Sequence, residues 1–200
     1  MAHYQDIEPF KNGKHMRKFE NELLLHGSRP KEIYMAWQIG KVCLLRVSDV
    51  LKLKVDQIYK KNGGIYDTVA TRDQKTNKFN PLNLNPLKVQ LSNYHDWRVA
   101  HHIKSVWMFP SATNTAKPLN RAVVYRLICR SAHMLGYKHL GCHSARKTGA
   151  YILYKSTNNL PMVSRMLNHS SEQITERYLG INDPAIKSAT NNTDWESIPQ

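Results

Sequence analysis

Through most of this 200-residue chain the apolar residues recur three or four positions apart, and only one stretch in the middle departs from that spacing. Such a recurrence lines apolar side chains along one stripe of an α-helix, so a mainly helical chain is expected. "KHMRKFENELLLHG" and "RPKEIYMAWQIGKVCLLRV" predict two helices in the first third, with Pro30 suited to a first helical turn. The exception is "GGIYDTVATRDQKTNKFNPLNLN". There Ile65, Val69 and Thr71 predict a strand, "DQKTNK" a polar turn, and Phe79, Leu82 and Leu84 a returning strand. Beyond it, a helix is expected from Pro86 to about Ile103, and a loop ends at Asn120, a good N-cap for "RAVVYRLICRSAHML". The last third reads as helices "HSARKTGAYILYKST", "PMVSRML" and "SEQITERYL", with Ser170 and Gln173 spaced as a capping box. The expected class is mainly α with a small antiparallel β-hairpin (α+β). One domain over residues 1–181 is expected, with a polar lead over 1–14 and a polar tail over 182–200.

The charge balance narrows the partners. Lys plus Arg number 29 against 15 Asp plus Glu, a formal charge of +14. Such a surface concentrates phosphates and is neutralised on binding them, so a polyanion is the expected partner. Cys43, Cys129 and Cys142 are widely spaced and form no CxxC pair, which argues against a disulfide framework and a cysteine zinc site. No signal-peptide run or membrane span is seen, so the expected compartment is the reducing cytoplasm, with no membrane partner.

Familiar hydrolase signatures are missing: there is no HExxH, P-loop, GxSxG or DxDxDG stretch, and the acidic residues do not cluster as a two-metal nuclease requires. His95, His101 and His102 lie close together in sequence without carboxylate or cysteine companions, and read as surface histidines rather than a zinc site. What remains is a set of cationic, imidazole and phenol groups: Arg46 in "RVSDVLKL", Lys75 in the hairpin turn, His143 and Arg146 in "HSARKT", and His169 and Tyr178 in "LNHSSEQITERYLG". Each alone has an ordinary explanation. Arg46 can pair with Asp49, Lys75 can be a solvated turn residue, and Tyr178 can extend an apolar stripe with Ile174 and Leu179. Their order and spacing together are far more specific.

Those stretches, in that order, resemble the tyrosine recombinases of the phage integrase family over roughly residues 15–181. The family's R-x-S-[DE]-x-L-x-L pattern stands here as "RVSDVLKL", its hairpin lysine in "QKTNK", its H-x-x-R as "HSAR", and its closing segment as "LNHSSEQITERYLG". Many relatives have Gly where this chain has Leu44 and Asn168, and Leu where it has Ala145; none of these changes removes a functional group. The resemblance implies a tyrosine recombinase catalytic-domain fold and a DNA strand-breaking and rejoining enzyme. Its nucleophile would be Tyr178 and its other catalytic groups Arg46, Lys75, His143, Arg146 and His169, with no metal and no cofactor. It implies double-stranded DNA as partner and a homo-oligomer on DNA, dimer to tetramer, in a bacterial or phage-encoded, nucleoid-associated protein. There is no room here for the family's N-terminal core-binding domain, so an accessory DNA-binding protein is one way to replace it. Arg121, Arg126, Arg130, Lys138, Lys147, Lys155 and Arg165 are candidate phosphate contacts, which position a protein without reading bases.

The alternatives are a catalytically silent DNA-binding regulator of the same fold and a type IB topoisomerase-like relaxing enzyme. Retention of all six catalytic-type groups argues against the first. The short chain and the "LNHSS" stretch argue against the second. In the tail, Ile181, Ile186, Trp195 and Ile198 suggest either folding back on the domain or, as in relatives, docking on a neighbouring protomer.

Overall fold

A computed structural model describes residues 7–26, 28–72 and 79–181. In chain order these form α1 (Gly13–Leu25), α2 (Pro30–Val42), the short α3 (Val47–Leu51) and α4 (Val55–Ile58), and the strands β1 (Thr68–Arg72) and β2 (Phe79–Asn83). A 3-10 turn (Asn85–Leu87) leads into α5 (Lys88–Ala100), followed by α6 (Arg121–Met134), α7 (Ser144–Thr157), α8 (Leu160–Met166) and α9 (Glu172–Leu179). The mainly helical fold with one small antiparallel sheet is the one expected.

The helix α2 is the hub, packing on α1, α3, α5, α6 and α7. It can do so because it is apolar nearly all round: Ile33, Met35, Ala36, Trp37 and Ile39 are all buried. Phe19 of α1 fits against Trp37 at 4.8 Å between ring centroids. Trp37 Nε1 donates to Glu20 Oε1 at 3.0 Å, and Lys41 Nζ pairs with the same oxygen, so the buried carboxylate is satisfied. Where α2 meets α7, Gly149 is obligatory. A Cβ at that position would lie 1.7 Å from the Lys41 carbonyl oxygen and 2.8 Å from Leu44 Cδ2. That close approach seats the first turns of α7, and the residues they carry, against the end of α2.

Several local signals act as the sequence suggests. Pro30 begins α2, and the Asn120 side chain accepts from Ala122 N at 2.7 Å to cap α6. The hairpin pairs Thr68 with Asn83 through Arg72 with Phe79. Other boundaries differ. Ile65 lies outside β1 and bridges to Tyr59, and Leu84 lies beyond β2. The helix expected from Pro86 to Ile103 is a 3-10 turn followed by α5 and ends at Ala100, where Arg98 turns inward. Its guanidinium donates to the carbonyls of Met108 at 2.7 Å and of Trp107 and Ser105 at 3.1 Å, tying the helix to the loop that follows. The expected capping box is displaced: the cap of α9 is Ser171, not Ser170, and its side chain makes no capping bond.

The lead before α1 is polar in composition, yet it is anchored. Phe10 is buried against Phe19, Trp37 and Tyr137. Its backbone N–H donates to Thr148 Oγ1 at 2.9 Å, and Glu8 N donates to His139 O at 3.0 Å. Two apolar clusters result. The large one is built on α1, α2, α3, α5 and α6; the small one joins Leu44, Ala150, Val163, Leu167, Tyr178 and Leu179 under α7, α8 and α9.

Candidate active site

The first arginine, Arg46, is the N-cap of α3, reached through a turn in which Leu44 has φ of 53°. His143 caps α7, and Arg146 lies within that helix's first turn, 4% exposed, with Nη2 donating to Leu167 O at 2.6 Å. Leu167 closes α8, and the chain then turns sharply at Asn168, φ 52°, into His169. One guanidinium therefore bonds to the carbonyl two residues before the second histidine. His169 N donates to Ser164 O at 3.1 Å, and its ring nitrogen Nδ1 lies 2.9 Å from Thr175 Oγ1. Tyr178, one turn further along α9, is buried with its ring 5.1 Å from that of His169, edge to face at 81°.

Leu44 and Asn168 both occupy the left-handed region, with φ of 53° and 52°. Asparagine tolerates that conformation, whereas leucine adopts it only under constraint. Leu44 is held there by burial, 1% exposed, in the cluster that also contains Tyr178.

The electrostatics converge. Burial pushes the His143 imidazole down to about 4, and the cations Arg121, Arg146, Arg46 and Lys147 add to the effect. Burial likewise pushes His169 down to about 4, with Arg146 and Arg46 contributing. Both imidazoles are thus neutral at neutral pH, and Arg46 and Arg146 act on both. This is a pocket that repels further protons and attracts an anion.

The remaining predicted residues fall into different places. Lys75 lies outside the described residues, as does the tail over 182–200. Lys147 differs from the other candidate phosphate contacts in being buried. It is 6% exposed, its Nζ donates to Ile7 O at 2.7 Å, and its ammonium sits 5.1 Å from the Tyr178 ring centroid. Burial lowers its pKa. Arg121 shares a groove with His143, Tyr125 and Cys142, whereas Arg130 faces the opposite flank of α6, toward Glu22, His26 and Arg29. Arg121, Arg126, Arg130, Lys138, Lys155 and Arg165 are all exposed. Asp49 is buried in α3. His95 packs on Tyr59 and His101 on Trp97, and among the described residues no group of three or more His, Cys, Asp or Glu is placed to hold a metal ion. No helix of the described residues is long and apolar enough to cross a membrane.

Known proteins of similar sequence and fold identify the family. The family model described as "Phage integrase family" matches residues 14–184. The chain is 29% identical over 184 residues to the probable integrase/recombinase YoeC of Bacillus subtilis, covering 92% of this chain and 94% of that protein. Its fold is similar to that of the XerH site-specific recombinase in a post-cleavage complex with difH DNA, with a TM-score of 0.69 and 19% identity over 96% of this chain. It spans only 54% of the XerH chain. A lambda integrase dimer bound to a core site is similar with a TM-score of 0.63 and 15% identity, over 100% of this chain and 65% of the other. Matched by the family model over most of its length, this chain belongs to the phage integrase family, as a tyrosine recombinase catalytic domain that acts in DNA recombination.

Proposed function

We propose that the chain cuts and rejoins DNA at a specific site through a 3′-phosphotyrosyl intermediate on Tyr178, without metal or ATP. The observation that carries the reading is the convergence of Arg46 and Arg146 on two neutral imidazoles, one of which lies against the Tyr178 ring. In cleavage, Tyr178 Oη attacks the scissile phosphorus, a P–O bond to tyrosine forms, and the bond to the 5′-oxygen breaks. The phenol is a poor nucleophile at neutral pH, with a pKa near 10, so its proton must be taken up. His143, neutral and at the mouth of α7, accepts it. Arg46 and Arg146 hold the non-bridging oxygens, since guanidinium groups offer forked donors and stay charged. Lys75 gives a proton to the departing 5′-oxygen. A second 5′-hydroxyl attacks the phosphotyrosine, and religation follows because the diester energy is retained.

Double-stranded DNA is the partner, bound by a dimer or tetramer. Support comes from the net charge and from the solved relatives, which include a lambda integrase dimer on a core site and a tetramer on a Holliday junction.

The test begins in cells. Covalent protein–DNA adducts trapped by denaturant from cells expressing the wild type are sequenced to recover the site, and a nicked suicide substrate is built on it. Adduct formation in EDTA is expected for the wild type and absent for Tyr178→Phe. Arg146→Ala should slow it by about 10²- to 10³-fold, as removal of one preorganised oxyanion donor does. Replacing the 5′-bridging oxygen by sulfur should rescue Lys75→Ala and not Arg146→Ala. DNA occupancy by the wild type in cells with no covalent adduct trapped would overturn the proposal in favour of a catalytically silent regulator.

A further inference from the structure

Thr175 is fully buried, at 0% exposure, on the inward face of α9 one turn before Tyr178. A threonine in a helix ordinarily satisfies its hydroxyl on the carbonyl one turn back, as Thr157 does here with Leu153 O at 2.7 Å. Thr175 does not. Among the described residues its hydroxyl makes one hydrogen bond, to His169 Nδ1 at 2.9 Å.

That single partner fixes where the proton lies. If Nδ1 carried the hydrogen and donated to Oγ1, the threonine O–H would be buried with no acceptor, at a cost comparable to a lost hydrogen bond. The arrangement with every buried donor satisfied has the hydroxyl donating to the Nδ1 lone pair. A neutral imidazole has one N–H, so the hydrogen then resides on Nε2, across the ring. Nε2 is bonded to no described residue.

We infer that Thr175 is a positioning residue for the strand-cutting reaction, locking His169 in its Nε2–H tautomer so that a neutral imidazole donates a hydrogen bond to the scissile phosphate. The role in catalysis rests on the recombinase reading above; the tautomer does not. The tautomer matters because His169 is held near 4 by burial, Arg146 and Arg46 and carries no second proton at neutral pH. The opposite tautomer would aim a lone pair at an anionic oxygen and repel it. The backbone supports the same alignment: the His169 N–H is held by Ser164 O at 3.1 Å, and the ring is flanked by Tyr178.

The experiment reads the ring directly. Full-length protein is labelled with ¹⁵N in its histidine rings, and long-range proton–nitrogen correlations at pH 7 without DNA identify the protonated nitrogen of His169, assigned by its loss in His169→Gln. The wild type and Thr175→Ser should show the hydrogen on Nε2. Thr175→Val, nearly the same shape without the donor, should show a shift toward Nδ1–H. A wild-type signal with the hydrogen on Nδ1, or an unchanged tautomer in Thr175→Val, overturns the inference, and the wild-type spectrum decides even if the valine variant does not fold. On the suicide substrate, Thr175→Val should form adduct about 10- to 100-fold more slowly, the range for loss of a residue that orients a functional histidine. Thr175→Ser should restore the rate, and half-site binding should be unaltered. Full-speed adduct formation in Thr175→Val would refute the positioning role, whereas absence of adduct in the wild type would refute the recombinase reading and leave the tautomer result standing.

Discussion

The two apolar clusters of this domain are built on different terms. In the large cluster around α2, the rings of Phe10, Phe19, Trp37 and Tyr137 interlock, and the charges buried there are hydrogen-bonded: Glu20 to Lys41 and Trp37, Arg98 to backbone carbonyls. The small cluster under α7, α8 and α9 holds a leucine in a left-handed conformation and a tyrosine beneath a lysine ammonium. Beside it two imidazoles are kept neutral by burial, with neighbouring cations adding to the effect. A left-handed leucine and a set of like charges thus stand side by side in and around the small cluster. The large cluster holds most of the buried apolar residues, and in the proposed function the small one carries the side chains that meet a phosphate.

The sharpest way to break this contrast is to weaken each cluster separately. Phe19→Ala removes a fully buried ring from the large cluster and should cost about 3–5 kcal/mol in urea unfolding, the range for such truncations. Wherever the variant remains folded, its rate of DNA cleavage should be close to that of the wild type. A large drop in cleavage by folded Phe19→Ala protein would show that the two clusters are not separable.

Leu44→Gly opposes two effects within the small cluster. Glycine relieves the left-handed strain, worth about 1–2 kcal/mol, and forfeits the burial of a leucine, worth about 2–5 kcal/mol by truncation to alanine. Net destabilisation of about 1–3 kcal/mol is expected from these ranges, with burial prevailing. Asn168→Gly, at the second left-handed position, should change stability by no more than about 0.5 kcal/mol, because asparagine bears that conformation at little cost. A stabilised Leu44→Gly would mean that strain dominates at Leu44.

A third expectation concerns pH. The imidazoles of His143 and His169 titrate near 4 in the folded protein and near their ordinary 6.5 when unfolded. Between those values the unfolded chain binds more protons, so stability rises with pH there and is lost as pH falls from 6.5 toward 4. The groups facing them are the cations Arg46, Arg121, Arg146 and Lys147. Urea midpoints followed across that window should fall less steeply in a His143→Gln, His169→Gln double variant. Equal slopes would show that burial and the neighbouring cations do not depress these imidazoles in the folded protein.

What could be seen from the sequence follows the same division. The large cluster was legible because α1, α2 and α6 repeat their apolar residues over several turns, and because Pro30 and Asn120 act locally. The residue types of the candidate site are legible through their order. Their surroundings are not. Phe10 is one aromatic in a polar lead and has no period, so nothing announces its burial. Lys147 and Arg98 look like surface charge until α7 and α5 are folded and their partners, Ile7 O and the Met108 carbonyl, arrive from elsewhere in the chain. Thr175 is bonded to His169 across the turn into α9, a contact set by the left-handed Asn168 that no helical periodicity announces. The short helices α3 and α4 run for 5 and 4 residues, too few for a period to emerge.

The central claim is that the small cluster exists to present Tyr178 to a phosphodiester, and identification of the covalently attached residue tests it most directly. Adduct formed on the suicide substrate is digested with protease and nuclease, and the peptide carrying residual nucleotide is sequenced by mass spectrometry. The expected result is a nucleotide linked through a 3′-phosphate to Tyr178, within the α9 peptide. A nucleotide on another residue, or linkage through a 5′-phosphate, would contradict the account.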